Sequence, residues 1–231
     1  MMDFTSLTYS FDLPIMQVLQ GSDSVFWDRF MLVLTNAFTW VPFYLALIFM
    51  IIRNNETVKQ ILLVIGFALF AVVLSDCVVD ILVKPNFMRF RPCNDPVLRY
   101  TIDVVDGYRG GAYGFFSAHA SNTMSVALFF CMVVKSRILS TTLIIWSLLN
   151  CYTRIYLGVH YPSDVLVGII WGSVVATVSY GLYYFIKKKT IAKTVYISDQ
   201  YTSEGYSYQD IYIVLTVMAV TLFYALFRSI C

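Results

Sequence analysis

Arg154-Ile155-Tyr156-Leu157-Gly158-Val159-His160-Tyr161-Pro162-Ser163-Asp164 puts an arginine, a histidine and a carboxylate into a short turn between two strongly apolar segments. Each of these side chains costs free energy in nonpolar surroundings, so at the lip of a membrane-length helix they are functional candidates by default. The spacing suggests a histidine nucleophile oriented by an aspartate, with a guanidinium available to an oxyanion. Gly158 suits the end of one helix and Pro162 the first turn of the next. Asp164 then stands in a first helical turn, where a capping carboxylate is the plain alternative. From the same place it reaches back to the Nδ1 proton of His160, leaving Nε2 to attack.

The composition around that turn decides the fold class. Of 231 residues 59% are hydrophobic and only 13% charged, and the mean hydropathy is +0.72. Soluble domains carry about 25% charged residues, so the expectation is an all-α, polytopic membrane helix bundle forming a single domain over residues 1–231. A formal charge of +2, dispersed along the chain, gives no footing for nucleic acid. The five cysteines show no metal-ligand spacing, and three lie inside apolar runs as small core residues. Cys93 and Cys231 are the pair that an oxidising face would allow to join. The N-terminus has no Lys or Arg ahead of its apolar residues, which makes it a poor signal peptide and one expected to stay.

Six crossings are expected. Residues 11–20 form a short amphipathic stretch suited to lying at the membrane surface. Phe30 to Ile52 supplies 23 uncharged residues, with Trp27 and Trp40 as interfacial anchors and Pro42 as a kink. Gln60 to Val83 is the second run, Ala112 to Val134 the third, Ile138 into Tyr156 the fourth, Val165 to Ile186 the fifth, and Ile211 to Phe227 an extra, shorter sixth. Between the second and third lies a polar loop over about residues 85–115, longer than the usual connection. One set of loops holds Arg53, Lys59, Lys135, Arg137 and the Lys187–Lys193 cluster, which the positive-inside rule places in the cytoplasm. Residues 187–210 then form a cytoplasmic linker, and the long loop, the His160 turn and both termini lie outside.

Alternation brings three distant places to one face. Lys84, Arg89 and Arg91 follow the second run; Ser117 and His119 open the third; Arg154, His160 and Asp164 surround the fourth turn. Singly, each has an ordinary explanation: a snorkelling lysine, an N-capping serine, a packed core histidine. Asp76, Asp80 and Lys84, spaced i, i+4, i+8, read as a structural ion-pair face. Gly110, Gly111 and Gly114 upstream of Ser117 let backbone approach closely, and a helix N-terminus is a ready anion site. Together the set is an inventory for binding and cleaving a phosphate ester without a metal. The histidines and Asp164 could alternatively ligate a metal, but the surrounding cations would repel a divalent ion.

Lys84-x6-Arg91-Pro92, Ser117-x-His119 and Arg154-x5-His160-x3-Asp164 resemble, in order, the three signature motifs of the type-2 phosphatidate phosphatase superfamily, which includes the vanadium haloperoxidases. The resemblance covers residues from about 60 to 186. It implies that His160 attacks phosphorus to give a phosphohistidine, that Asp164 assists, and that His119 protonates the leaving oxygen. It further implies that Lys84, Arg91, Ser117 and Arg154 hold the phosphoryl oxygens, with no cofactor and no metal. Two motifs depart from the pattern: Phe116 and Ala118 flank the serine where proline and glycine are usual, and Thr153 replaces a serine before the arginine. The expected function is therefore that of a compact bacterial inner-membrane lipid phosphatase with its site facing the periplasm or exterior. Undecaprenyl diphosphate and lipid A phosphate are the leading substrates, with phosphatidate and phosphatidylglycerol phosphate behind them. Arg89, Tyr108 and Arg109 are the candidates for headgroup contacts. Transfer of the phosphoryl group to a lipid or sugar hydroxyl uses the same site, and a non-enzymatic membrane scaffold is the distant alternative.

Overall fold

The computed structural model describes residues 4–190 and 198–230, and regular secondary structure among them is helical apart from isolated bridges. Lys193 and Cys231, and residues 191–197 of the expected linker, lie outside the described residues. α1 runs through Thr5–Leu7, a π-helical turn at Thr8–Asp12 and Leu13–Leu19; α2 is Val25–Thr35 and α3 Val41–Arg53. α4 is the continuous helix Val58–Phe87, π-helical over Val78–Val83. α5 is Ala118–Val134, α6 Arg137–Tyr156, α7 Pro162–Thr190 and α8 Tyr208–Ile230.

The starts and stops have local causes. At α4, Thr57 accepts from the Gln60 amide at 3.3 Å while Gln60 accepts from the Thr57 amide at 3.0 Å, a reciprocal cap. Lys135, at φ 54°, ends α5 and Ser136 caps α6 one residue later. Gly158 at φ +64° closes α6; a Cβ there would stand 2.7 Å from the Ile102 side chain and 2.9 Å from the Asp103 carbonyl oxygen.

The first expected crossing is broken. α2 and α3 meet at 68° across a 3-10 turn, Ala37–Trp40. The bend comes at Asn36, whose side chain accepts from the Phe38 amide, and Pro42 sits in the first turn of α3. The carbonyls left open at the end of α2 are satisfied from beyond the bend, Val33 by the Thr39 hydroxyl at 2.6 Å and Leu34 by the Trp40 indole at 2.8 Å. Trp40 is thus 2% exposed, packed against Phe43 and Trp146 instead of anchoring at an interface.

α5 is the axis of the bundle, with α4, α6 and α7 around it. It begins at Ala118 and not at Ala112, because residues 112–114 pair with the chain leaving α4: the Arg91 amide donates to Ala112 and the Gly114 amide to Arg89. α7 approaches α5 through Gly168 and Gly172, where a Cβ would strike the Ser117 and Ser121 carbonyl oxygens. This is the small-xxx-small packing of helices in lipid, where contact and not the hydrophobic effect drives association. α8 straddles the bend, packing on both α2 and α3.

Four helices, α4, α6, α7 and α8, are long and apolar enough to span a membrane, and a fifth span is counted if α2 and α3 are one. α5, with 17 residues, is shorter, so the expected six is approximate. At one end of the bundle Glu204 accepts from Lys135 at 2.7 Å and from Lys187 at 2.8 Å, while Asn54 and Asp210 join the α3–α4 connection to the start of α8. The opposite end carries the loop after α4 and the turn after α6.

α1 is longer than the expected surface stretch and is not simply amphipathic. Asp12, in its π turn, is wholly buried. Asp76 is a second departure: it accepts from the Asn122 side-chain Nδ2 at 2.9 Å, and among the described residues the ion pair is Asp80 with Lys84. The π-helical stretch beginning at Val78 changes the helical phase, which takes Asp76 off the face of the other two.

Candidate active site

Four backbone hydrogen bonds join segments that are far apart in sequence. The Cys93 amide donates to Gly158 at 3.1 Å, and the Ser117 amide to the Asp164 carbonyl at 3.1 Å. The hairpin-like pairing of Phe90 with Tyr113 adds the Arg91–Ala112 and Gly114–Arg89 bonds. The chain after α4, the start of α5 and the α6–α7 turn are thereby locked together. Gly110 and Gly114 permit it, since a Cβ at either would meet the Arg91 side chain at 2.6 and 3.0 Å.

His160 is 2% exposed and Asp164 fully buried. Arg91 Nη1 lies 2.8 Å from His160 Nε2 and donates to the Val159 carbonyl at 3.0 Å. Because arginine has no acceptor, this contact requires an unprotonated Nε2, so the proton is on Nδ1. Nδ1 faces Asp164 Oδ2 at 3.7 Å, closer to an electrostatic pairing than a formed hydrogen bond. Burial, reinforced by the charges of Arg91, Arg154 and Lys84, holds the imidazole well below its ordinary 6.5, and so neutral. Burial and the nearby Arg154 also lower Arg91 from its ordinary value.

Arg154 donates from Nη1 to the Thr35 hydroxyl at 2.5 Å and to the Tyr108 hydroxyl at 3.0 Å. Ser117 caps α5 by accepting from the Ala120 amide at 3.4 Å, and the same helix end carries His119, whose Nε2 is buried without a partner. Lys84 pairs with Asp80, which is half exposed. The structure therefore brings His160, Asp164, Arg91, Arg154, Ser117, His119 and Lys84 to one end of the bundle.

Of the expected headgroup residues, Arg89 falls elsewhere, whereas Tyr108 meets Arg154 at the site and Arg109 is exposed. Arg89 is 5% exposed and sits behind Asp164, donating to its Oδ1 at 2.6 Å and to Asp12 Oδ2 at 2.6 Å. Arg109 donates to the Cys93 carbonyl, and Tyr108 is a partner of Arg154. Asp12, Thr35, Thr8 and Ser163 were not legible as site residues. Only Asp12 carried a signal, as an acid in an otherwise apolar stretch.

The charge balance states what the site can hold. Arg91 and Arg154 are each 7% exposed, and neither has a carboxylate partner among the described residues. Their Nε atoms, His119 Nε2 and His160 Nδ1 are buried without hydrogen-bond partners among the described residues. Buried cations are normally paired, so this is a site with room in its electrostatics for an anion, presented to a neutral ring nitrogen. No three His, Cys, Asp or Glu side chains among the described residues are grouped to hold a metal ion.

An apolar bundle carrying such a site at one end defines a membrane enzyme of phosphate-ester chemistry. Comparison with known proteins supplies the particular family: the model of the PAP2 superfamily matches residues 65–188. A lipid A 4'-phosphatase of Bacteroides thetaiotaomicron is 33% identical over 185 residues, 79% of this chain and 79% of the relative. A lipid A 4'-phosphatase of Porphyromonas gingivalis is 34% identical over 173 residues, 74% of this chain and 72% of the relative. No solved structure matches. The chain belongs to the PAP2 superfamily and is an integral-membrane phosphatase acting on a lipid phosphate.

Proposed function

We propose that the chain hydrolyses a phosphate monoester of lipid A, the 4'-phosphate first, through a phosphohistidine. The observation that carries the phosphoryl chemistry is the pair of buried guanidiniums, Arg91 and Arg154, without a carboxylate partner among the described residues and beside a neutral His160. The relatives' substrate favours lipid A over undecaprenyl diphosphate, phosphatidate and phosphatidylglycerol phosphate.

In this reading Arg91, Arg154, Lys84 and the α5 N-terminus at Ser117 hold the three non-bridging phosphoryl oxygens, and their charge is most effective as the transition state forms. The Nε2 lone pair of His160 attacks phosphorus as the bond to the sugar oxygen breaks, and His119, protonated when the phosphate dianion lies beside it, gives that oxygen its proton and becomes neutral. Asp164 stabilises the positive ring through Nδ1. Water then attacks the phosphohistidine, its proton passing to His119, and inorganic phosphate leaves with His160 neutral again. Every step uses side chains of this chain alone.

The same reading makes residues 1–231 one membrane domain of the bacterial inner membrane. Its site opens to the periplasm or exterior, opposite the end that holds Lys135 and the Lys187–Lys189 run. The test is phosphate release by the purified protein in detergent with EDTA, across lipid A, undecaprenyl diphosphate, phosphatidate and phosphatidylglycerol phosphate. Lipid A should turn over fastest, and His160→Ala should abolish turnover and any acid-labile phosphoenzyme. Normal hydrolysis by that variant would sink the mechanism; preference for another of the four lipids would sink the substrate.

A further inference from the structure

α1 lies outside the family match at residues 65–188, yet it supplies the most deeply buried acid of the N-terminal region. Asp12 Oδ1 accepts from the Ser163 amide at 2.8 Å, and its Oδ2 accepts from the Ser163 hydroxyl at 2.8 Å and from Arg89 Nη2 at 2.6 Å. Arg89 Nη2 also donates to Thr8 at 2.8 Å, and Nη1 donates to Ser163 at 2.7 Å and to Asp164 Oδ1 at 2.6 Å. The guanidinium lies 4.1 Å from the centre of the Tyr161 ring and 4.8 Å from that of Phe4. A planar fork between two carboxylates and two aromatic faces has little freedom left.

We infer that Asp12 is a positioning residue for the phosphatase reaction, acting on His160 through Arg89 and Asp164. Two consequences follow from the geometry. With Oδ1 of Asp164 fixed by Arg89, its Oδ2, which accepts from the Tyr161 amide at 3.1 Å, is the oxygen turned to His160 Nδ1. The second is electrostatic. Arg89 alone would neutralise Asp164, whereas Asp12, Arg89 and Asp164 together carry one net negative charge behind the imidazole. That charge favours the positive ring that forms when Nε2 attacks phosphorus. Asp12 has no route to the substrate, being fully buried and committed to Ser163 and Arg89.

This inference rests on the phosphatase reading, and one experiment separates the two. Wild type, Asp12→Asn, Asp12→Glu and Ser163→Ala are assayed with 4'-phosphorylated lipid A and with para-nitrophenyl phosphate in the same detergent, with kcat, KM and thermal midpoint measured for each. Asp12→Asn retains the shape and removes the charge. It should lower kcat about 10- to 100-fold, the usual scale for losing an outer partner that orients a site histidine, with KM changed less than twofold. Asp12→Glu, which restores the charge, should recover part of the rate. Ser163→Ala keeps all three charges but removes the hydroxyl linking Arg89 to Asp12, and a loss of kcat of several-fold is expected. An unchanged kcat in folded Asp12→Asn overturns the inference, as does a rise in KM at constant kcat. If Asp12→Asn does not fold, an unchanged kcat in Ser163→Ala overturns it instead. A wild type inactive on both substrates fails the phosphatase reading and this inference with it; an active wild type with unaffected variants fails this inference alone.

Discussion

His160 is the residue on which the others converge, and its protonation state is the most direct handle on the site. Its imidazole is held well below 6.5 by burial and by the charges of Arg91, Arg154 and Lys84. The neutral form that the proposed attack needs therefore prevails above that depressed value and is lost only when pH falls through it. The acid limb of kcat/KM in the wild type should accordingly lie below pH 6.5. In Arg91→Met one of the depressing charges is gone, so the limb should move to higher pH, while the plateau falls on the order of 10²–10³-fold for the lost oxygen ligand. A limb that stays in place or moves down in a pH–rate profile would contradict this account of His160. Stability follows the same sign. The unfolded imidazole titrates near 6.5, so acidification below that value protonates the unfolded chain first and weakens the fold. At this scale the motif residues could be read from spacing. The partners of Arg89 could not, because Asp12 is 77 positions away and nothing local distinguishes a buried arginine from one that meets a headgroup.

At the scale of elements, the site depends on how closely α7 can approach α5. Gly168 and Gly172 put the α7 backbone against the carbonyls of Ser117 and Ser121, which in turn allows the Ser117 amide to reach the Asp164 carbonyl. Gly172→Leu should force the two helices apart, at about 1–3 kcal/mol from overpacking, and lower the thermal midpoint of the detergent-solubilised protein. Activity per folded molecule should fall as well, since Ser117 and Asp164 separate. A midpoint and activity both equal to wild type would show that the contact does not position the site. The broken helix has a comparable role. Hydropathy showed one apolar run from Phe30 to Ile52, but the bend at Asn36 is what brings Thr35 to Arg154. Pro42 was the visible punctuation, yet proline is at ease in a first helical turn, and it starts α3 without causing the break.

On the scale of the whole molecule, the cations divide between two ends with different employment. Lys135 and Lys187 are bridged by Glu204, and Arg53 approaches Asp210 at 3.7 Å, so this end closes the bundle around the start of α8. Arg91 and Arg154 at the other end have no acid partner among the described residues. If the first end is cytoplasmic, Ser203→Cys, at an exposed position, should be labelled by a membrane-impermeant thiol reagent only after the inner face is opened. Labelling from the outside of intact cells would invert the orientation and with it the side on which the lipid phosphate is met.

Sequence by itself determined the membrane class and the run of apolar helices and singled out the seven side chains proposed for the chemistry, because hydropathy and motif spacing are local properties of the chain. It also set the order in which alternating helices return those side chains to one end. Only the tertiary structure decided that Arg89 turns inward to two carboxylates, that Asp12 stands behind Asp164, and that Thr35 reaches Arg154 across 119 positions. Those choices are made once the helices are packed, because a buried charge that is not kept open for an anion is paired by whatever part of the chain arrives beside it.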